Sequence, residues 1–536
     1  MSLTKFVGLL AGTALAGSAF AASVDGGTDA MNEIANLKKE IAELKAANGD
    51  KWLTEQRETE IRAVVQDVLA DADTRSSLQA AQATSGYNNG FFISSPDGNF
   101  KLQINGQLQS RWAYNALSTR DMNNSTVNGT AAADSFNNQG VAKAAYGFEV
   151  RRAKLEFSGH ISDPSWQYAA TLAYQQFFGA NGAGSNNAGT AAGGGVTQGD
   201  NGNAAVMGFE NLYVKKDLGN GFSVQVGQFK SPFLREWLVS SKYQLAAERS
   251  LVETLFSTGW TQGIQLNWNN DMLRVMASYN DGANNANLGS ISGTNVNGFN
   301  TATPPAASNG GVGFSQWAFT GRIEAMLSGN WAQFDNLTSM RGEGSGILVG
   351  GGINWQRGGQ QGAEPYASNV PANSNGDGEF FSWTLDATWD LGGANLYGAW
   401  VMNTSYSLPG GASDINSYGI VVQGGYFITD AVELFARWEW MSTAHTNAGT
   451  ANDNVADSDV TANTPNNAFV NNIGTIGANW YMSKNVKWTT DFGVSWNPVT
   501  FQTGLFGQNI AGADYRTEGS NGGGQIVFRT QLQLLF

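Results

Sequence analysis

No cysteine occurs among the 536 residues, and that one absence removes disulfides, thiolate-bound zinc, iron–sulfur clusters, c-type haem attachment and a thiol-linked lipid anchor. Histidine is nearly as scarce. His160 and His445 are the whole supply, too few for a histidine-rich metal site, so neither a metal nor a cofactor is expected. Charged residues make up only 14 % of the chain, where about 25 % is ordinary for a soluble protein. The charge present is skewed towards acid, with 30 bases against 44 acids and a net −14. Nucleic acid is therefore not an expected partner, because phosphate backbones are gripped by clustered Lys and Arg. Apolar runs long enough to cross a bilayer as a helix, about 20 residues, are also missing.

What the chain has in excess is glycine, 68 residues, and aromatic rings, with 17 Trp, 15 Tyr and 29 Phe. Mean hydropathy is nevertheless only −0.26. A chain poor in charge, rich in rings and middling in hydropathy fits β-structure with one apolar and one polar face, and fits neither disorder nor helical membrane spans.

Three regions are expected. Residues 1–22 read as a signal peptide, with Lys5, an apolar core from Phe6 to about Ala16 and the small-x-small site Ala19-Phe20-Ala21. Residues 23–86 read as a short helical stalk. Ile34, Leu37, Ile41, Leu44 and Asn48 fall at a and d positions, and Ile61, Val64, Val65, Val68 and Leu69 form a second stripe, which suits a coiled coil in the periplasm. A helix folded against the rest of the protein is the other reading of the same stripes.

Residues 87–536 change to period two. In 101–114, Leu102, Ile104, Leu108, Trp112 and Tyr114 alternate with Lys101, Gln103, Asn105, Gln107, Gln109 and Arg111, a strand apolar on one side and wet on the other. The pattern recurs sixteen times, near 100–114, 147–160, 165–176, 208–218, 222–229, 262–269, 272–280, 315–327, 346–356, 379–391, 394–406, 416–428, 432–442, 469–482, 486–497 and 524–536. Connections alternate between long and short, the short ones carrying the Gly, Asn and Asp of tight hairpins; only 328–345 breaks the rule by being longer. An even strand count, loops on one side and turns on the other, and a last strand ending on Phe536 select an all-β, 16-stranded antiparallel transmembrane barrel over a soluble sandwich. Its greasy faces meet outer-membrane lipid, and the terminal Phe536 is read as an assembly signal.

Two stretches carry a family resemblance. Phe148-Glu149-Val150-Arg151-Arg152-Ala153-Lys154-Leu155-Glu156-Phe157-Ser158-Gly159 resembles a strand of the bacterial phosphate-selective porins. So does Gly227-Gln228-Phe229-Lys230-Ser231-Pro232-Phe233, followed by Ser240-Ser241-Lys242-Tyr243 and Glu248-Arg249-Ser250-Leu251. The likeness covers about 100–536 in organisation and 147–270 in motif. It implies a homotrimeric channel in the outer membrane of a didermic bacterium, with the third long loop folded into the lumen. Lys230, Arg235, Glu236, Lys242, Glu248, Arg249 and Glu253 are the pore-narrowing residues it implies. The competing reading makes that loop an amphipathic helix through Leu234, Trp237, Leu238 and Leu245 whose charges face solvent.

Alternation places Arg111, Arg152, Lys154, Arg274, Arg322, Arg437 and Arg529 towards the lumen, but Glu324, Asp386, Asp390, Glu433, Glu439 and Asp491 share those faces. Setting aside residues 1–86, with eight bases and twelve acids, leaves the barrel at −10. No continuous basic ladder results, so the expected activity is passive diffusion of small hydrophilic solutes and ions, with anions such as phosphate the addition that the resemblance makes. A second reading is a structural anchor gripping the cell wall through residues 23–86. Catalysis is not expected, because neither histidine lies near a nucleophile elbow. Asp453, Asp457 and Asp459 read as a solvated loop rather than a calcium site, and Gly342–Gly346 lacks the Lys of a phosphate-binding loop and reads as a turn.

Overall fold

The computed structural model describes residues 28–48, 59–69, 83–118, 126–127, 130–131, 144–176, 205–283, 315–358, 379–406, 415–445, 467–499, 514–515 and 523–536. The signal segment 1–22 and the aspartates at 453, 457 and 459 lie outside them. The chain forms two units, Met1–Gln82 and Ala83–Phe536. In the first, helix α1 (Thr28–Asn48) and helix α2 (residues 59–69) leave Ile34, Leu37 and Ile41, and Ile61, Val64, Val65, Val68 and Leu69, exposed.

The second unit opens with a short hairpin, Thr84–Tyr87 and Phe91–Ser94, whose second strand pairs with the first barrel strand. The ring then runs β1 (Lys101–Leu117), β2 (Ala144–Ile161), β3 (Asp163–Gln176), β4 (Ala205–Gly219), β5 (Phe222–Lys230), β6 (Trp260–Asn269), β7 (Leu273–Asn280) and β8 (Ser315–Ser328). It continues with β9 (Ser345–Gly358), β10 (Glu379–Leu391), β11 (Ala394–Tyr406), β12 (Ile415–Phe427), β13 (Val432–His445), β14 (Asn467–Ser483), β15 (Val486–Ser495) and β16 (Gln525–Leu535). Each strand pairs antiparallel with its chain neighbours, and the short turns, the β8–β9 connection aside, are one to four residues long. Asn220, at φ 53°, and the pair Gly392-Gly393, at 66° and 121°, supply the left-handed backbone those turns need.

Closure comes from β16 pairing with β1, Phe528 opposite Tyr114 and Leu534 opposite Leu108. Phe536 extends that seam: its N–H donates to Gly106 O at 3.1 Å and its carbonyl accepts from Gly106 N at 2.7 Å. No strand edge is left along the seam, which matters in hydrocarbon, where each unpaired backbone group costs several kcal/mol. Gly106 has to be bare, because a Cβ there would sit 2.1 Å from the Phe536 ring.

Strand β10 shows how burial follows alternation. Phe381, Leu385, Ala387, Trp389 and Leu391 are exposed outward, and Ser382, Thr384, Asp386, Thr388 and Asp390 are buried inward. The inner face also departs from the simple rule, on β10 itself at Phe380 and on other strands. Phe380, Tyr397, Val401, Val421, Phe435, Met441, Ile473 and Val527 are apolar and buried together with residues of the loop after β5. The physical reason is docking: part of the inner wall is covered by protein rather than water.

Candidate functional site

The connection between β5 and β6, residues 231–259, turns into the barrel instead of out of it. Two short helices shape it, α3 (Arg235–Leu238) and α4 (Leu251–Phe256). Ser250 caps α4, its Oγ accepting from Glu253 N at 2.9 Å, the hydroxyl half of a Ser-x-x-Glu capping box. Ser250 N and Oγ donate to the Glu236 carboxylate at 2.8 and 2.6 Å, so one acid ties the two helices together.

The loop spans from wall to wall. Arg322 on β8 donates to Phe233 O at 3.0 Å, and Arg235 donates to Thr388 Oγ1 on β10 at 3.0 Å. On the far side, Asn479 of β14 donates to Leu245 O at 2.8 Å, Lys487 of β15 to Gln244 O at 2.9 Å, and Gln533 of β16 to Lys242 O at 3.1 Å. Asp491 accepts from Ala247 N at 3.0 Å, and Glu439 on β13 accepts from Leu251 N. Gln109 on β1 completes the circuit, donating to Ser241 O at 3.3 Å. Bare glycines make room for the seat. A Cβ on Gly419 would lie 2.7 Å from Val252, and one on Gly352 would lie 2.7 Å from Phe233 O.

A second inward element supports the loop from the turn side. The connection between β8 and β9, whose extra length broke the short-turn rule, forms a 3-10 turn at Gln333–Asp335. Leu337 N donates to Tyr243 O at 3.1 Å, and Arg235 Nη2 donates to Phe334 O at 2.6 Å. Phe334 and Leu337 are fully buried.

The seven loop residues named from the resemblance fall into distinct settings. Lys230 Nζ donates to the carbonyls of Trp237, Leu238 and Val239 at 2.6, 3.2 and 3.4 Å. Arg249 donates to Glu236 O at 3.1 Å and Val239 O at 2.9 Å and lies over the Trp237 ring. Both cations thus satisfy the carbonyl end of α3, together with Glu236 as internal fastenings. Arg235 bridges β10 and the turn. Lys242 pairs with Glu156 on β2 at 2.8 Å, and Glu248 meets three arginines. Glu253 is buried beside Arg249, Glu236 and Lys230. Burial pushes its carboxyl up to about 7, Arg249 opposing and Glu236 adding to the rise, and its Oε1 has no hydrogen-bond partner.

The wall arginines are paired. Arg111 forms ion pairs with Glu149, Glu248 and Asp514; Arg322 pairs with Asp386 at 2.7 Å and Glu324 at 2.9 Å; Arg437 with Glu439 and Arg529 with Asp491, both at 2.7 Å. Lys154 pairs with Glu210 at 2.6 Å. Arg274 lies 4.0 Å from the Trp331 ring centroid. Two partners come from outside the alternation pattern read in the sequence. Asp514 sits in the connection before β16, with a carboxyl that burial pushes up to about 6. Arg151 belongs by strict alternation on the lipid side, but a bulge at Gln109/Ser110 shifts the register there and its guanidinium reaches Glu248. A doubled Arg-Arg on one strand was the available sign that one of them needs a bulge.

Inward residues on β10–β16, including Thr388, Gln423, Asn479 and Gln531, are buried at the level of the loop. On the opposite wall a cleft of about 180 Å³ lies between the loop and strands β2–β6, lined by Lys154, Glu156, Glu210, Lys230, Arg249 and Trp260 among others.

The family described as phosphate-selective porin O and P matches over residues 122–495, from before β2 to the end of β15. No curated protein matches the chain. Among solved structures it is similar to outer-membrane expressed OmpT of Vibrio cholerae, at 11 % identity over 82 % of this chain and 98 % of that chain, TM-score 0.44. It is similar also to the anion-selective porin from Comamonas acidovorans, at 11 % identity, 81 % and 99 % coverage and TM-score 0.44. Salmonella typhi OmpF, in a complex with daunomycin, matches at 11 % identity, 84 % and 100 % coverage and TM-score 0.45.

Proposed function

This chain belongs to the family of the phosphate-selective porins O and P, and from that premise we propose a passive outer-membrane channel of the general-diffusion type, non-enzymatic, whose constriction charges are balanced rather than basic. One observation carries the reading. Arg111, Arg152, Arg322, Arg437 and Arg529 each stand within 2.7 Å of a carboxylate oxygen. A guanidinium neutralised at that range contributes little local field, and it is local field that selects ions in a pore. Small hydrophilic solutes of either sign pass; phosphate is one anion among them.

The working unit is a homotrimer, anchored in lipid by residues 87–536. Residues 23–86 stand in the periplasm and associate through the exposed stripes of α1 and α2, after removal of residues 1–22. The same stripes favour a second role as a tether towards the cell wall.

Purified protein in a planar bilayer is expected to give conductance in steps of three, with a reversal potential in a KCl gradient near zero or weakly anion-preferring. No conductance at all, or strong cation preference, overturns the reading. Deleting residues 23–86 is expected to leave conductance intact, and the state of the trimer after deletion separates an assembly role from a tether.

A further inference from the structure

Arg111 on β1 and Arg151 and Arg152 on β2 converge on one carboxylate, and that carboxylate belongs to the inward loop. Glu248 Oε1 lies 2.6 Å from Arg111 Nη1 and 2.6 Å from Arg151 Nε, while Oε2 lies 2.7 Å from Arg152 Nη2. Forked guanidinium donors gathered around two oxygens match the geometry with which proteins bind a free carboxylate or phosphate. The arrangement exceeds what holding the loop requires. Arg437 already donates to Glu248 O at 2.9 Å, and Asp491 holds the neighbouring Ala247 N. The loop's other ion pairs to the wall are single, Lys242 with Glu156 and Arg235 with Glu324. The register shift at Gln109/Ser110 brings Arg151 to the same side as Arg152, a use of a bulge to re-aim a side chain.

We infer that Glu248 is an internal stand-in for a solute oxyanion: it fills a three-arginine site in the barrel wall and so sets the channel's low affinity for carboxylates and phosphates. This rests on the channel reading above. Glu248 is thereby a selectivity-determining residue. With its charge removed, Arg111 keeps Glu149 and Asp514 as partners, and Arg152 keeps Gln109 Oε1 at 2.9 Å, while Arg151 and Arg152 both lose their carboxylate.

The test is multichannel conductance in KCl with inorganic phosphate titrated in, on wild type, E248Q, E248D and the double variant R151Q/E248Q. Wild-type current is expected to fall little with phosphate. E248Q is expected to show saturable inhibition at concentrations at least tenfold lower, and a chloride-to-potassium permeability ratio raised at least twofold. R151Q/E248Q should lose most of that inhibition. E248D keeps the charge but shortens the reach, so its inhibition should fall between wild type and E248Q, and it serves if E248Q does not assemble. Conducting E248Q or E248D channels with wild-type phosphate response overturn the inference and leave the channel reading standing. Wild-type protein that never conducts overturns the channel reading instead.

Discussion

Glu253 is a residue of the inward loop whose state changes within the physiological range. Burial lifts its carboxyl from the usual 4.5 to about 7, and with Oε1 buried without a hydrogen-bond partner, protonation relieves the cost of a buried charge. A folded-state value raised above the unfolded one stabilises below the unfolded value, and the benefit is lost as pH rises through the folded value. The loop is therefore expected to be held better at pH 6 than at pH 8. Open-channel current noise should rise between those values, and E253Q should reduce that rise; unchanged noise in wild type would refute it. Glycine works by absence in the same seat. Gly419→Leu drives a side chain into Val252 and Phe256, and overpacking of this kind costs roughly 1–3 kcal/mol. Unseating of α4 should appear as larger unit conductance.

At the scale of elements, the inward turn between β8 and β9 acts as a strut. It reaches the loop through Leu337 N on Tyr243 O and Phe334 O on Arg235, and it is fixed to the wall by Gln333 on Asp390 at 3.3 Å and Thr338 on Glu433 at 3.4 Å. Replacing residues 330–343 by a two-residue Asn-Gly turn is expected to leave the trimer and its heat-modifiable migration intact, while raising unit conductance and shortening open times. The strands themselves were legible, because period-two alternation and Gly/Asn turn chemistry are local signals. The strut was legible only as an anomaly of length. Its course, and the partners of the loop charges, depend on residues far apart in the chain, such as Gln244 with Lys487 and Glu248 with Arg111. No local pattern encodes those meetings. The apolar inward set, Phe435 and Met441 for example, was hidden for a related reason: a polar lumen is the default, and only knowledge of what lies against the wall makes an apolar inner residue intelligible.

For the whole molecule, the proposed channel makes the bilayer the solvent of one face. Leu385, mid-strand on β10 and 55 % exposed, faces outward, and in that setting an arginine costs roughly 2–4 kcal/mol at the midplane. Leu385→Arg should lower folding free energy in liposomes by that amount, whereas Thr384→Ser on the opposite face should change it by less than about 0.5 kcal/mol. Equal effects would mean that the two faces are misassigned.

The wall-to-wall seating of the loop also orders events in time. Its anchors come from Gln109 near the start of the barrel and Gln533 near the end, and these stand side by side only once Phe536 has met Gly106. The loop thus has no complete seat in any partly built barrel. Each newly closed barrel is therefore expected to seat its loop after closure. Trp237 in α3 and Trp260 at the start of β6 meet edge to face at 4.4 Å, so during refolding their coupled near-ultraviolet circular dichroism should lag the far-ultraviolet signal of the strands. On the proposed channel reading, the seating of this loop is then the last contact the polypeptide makes, and the first that a cell could fail to complete.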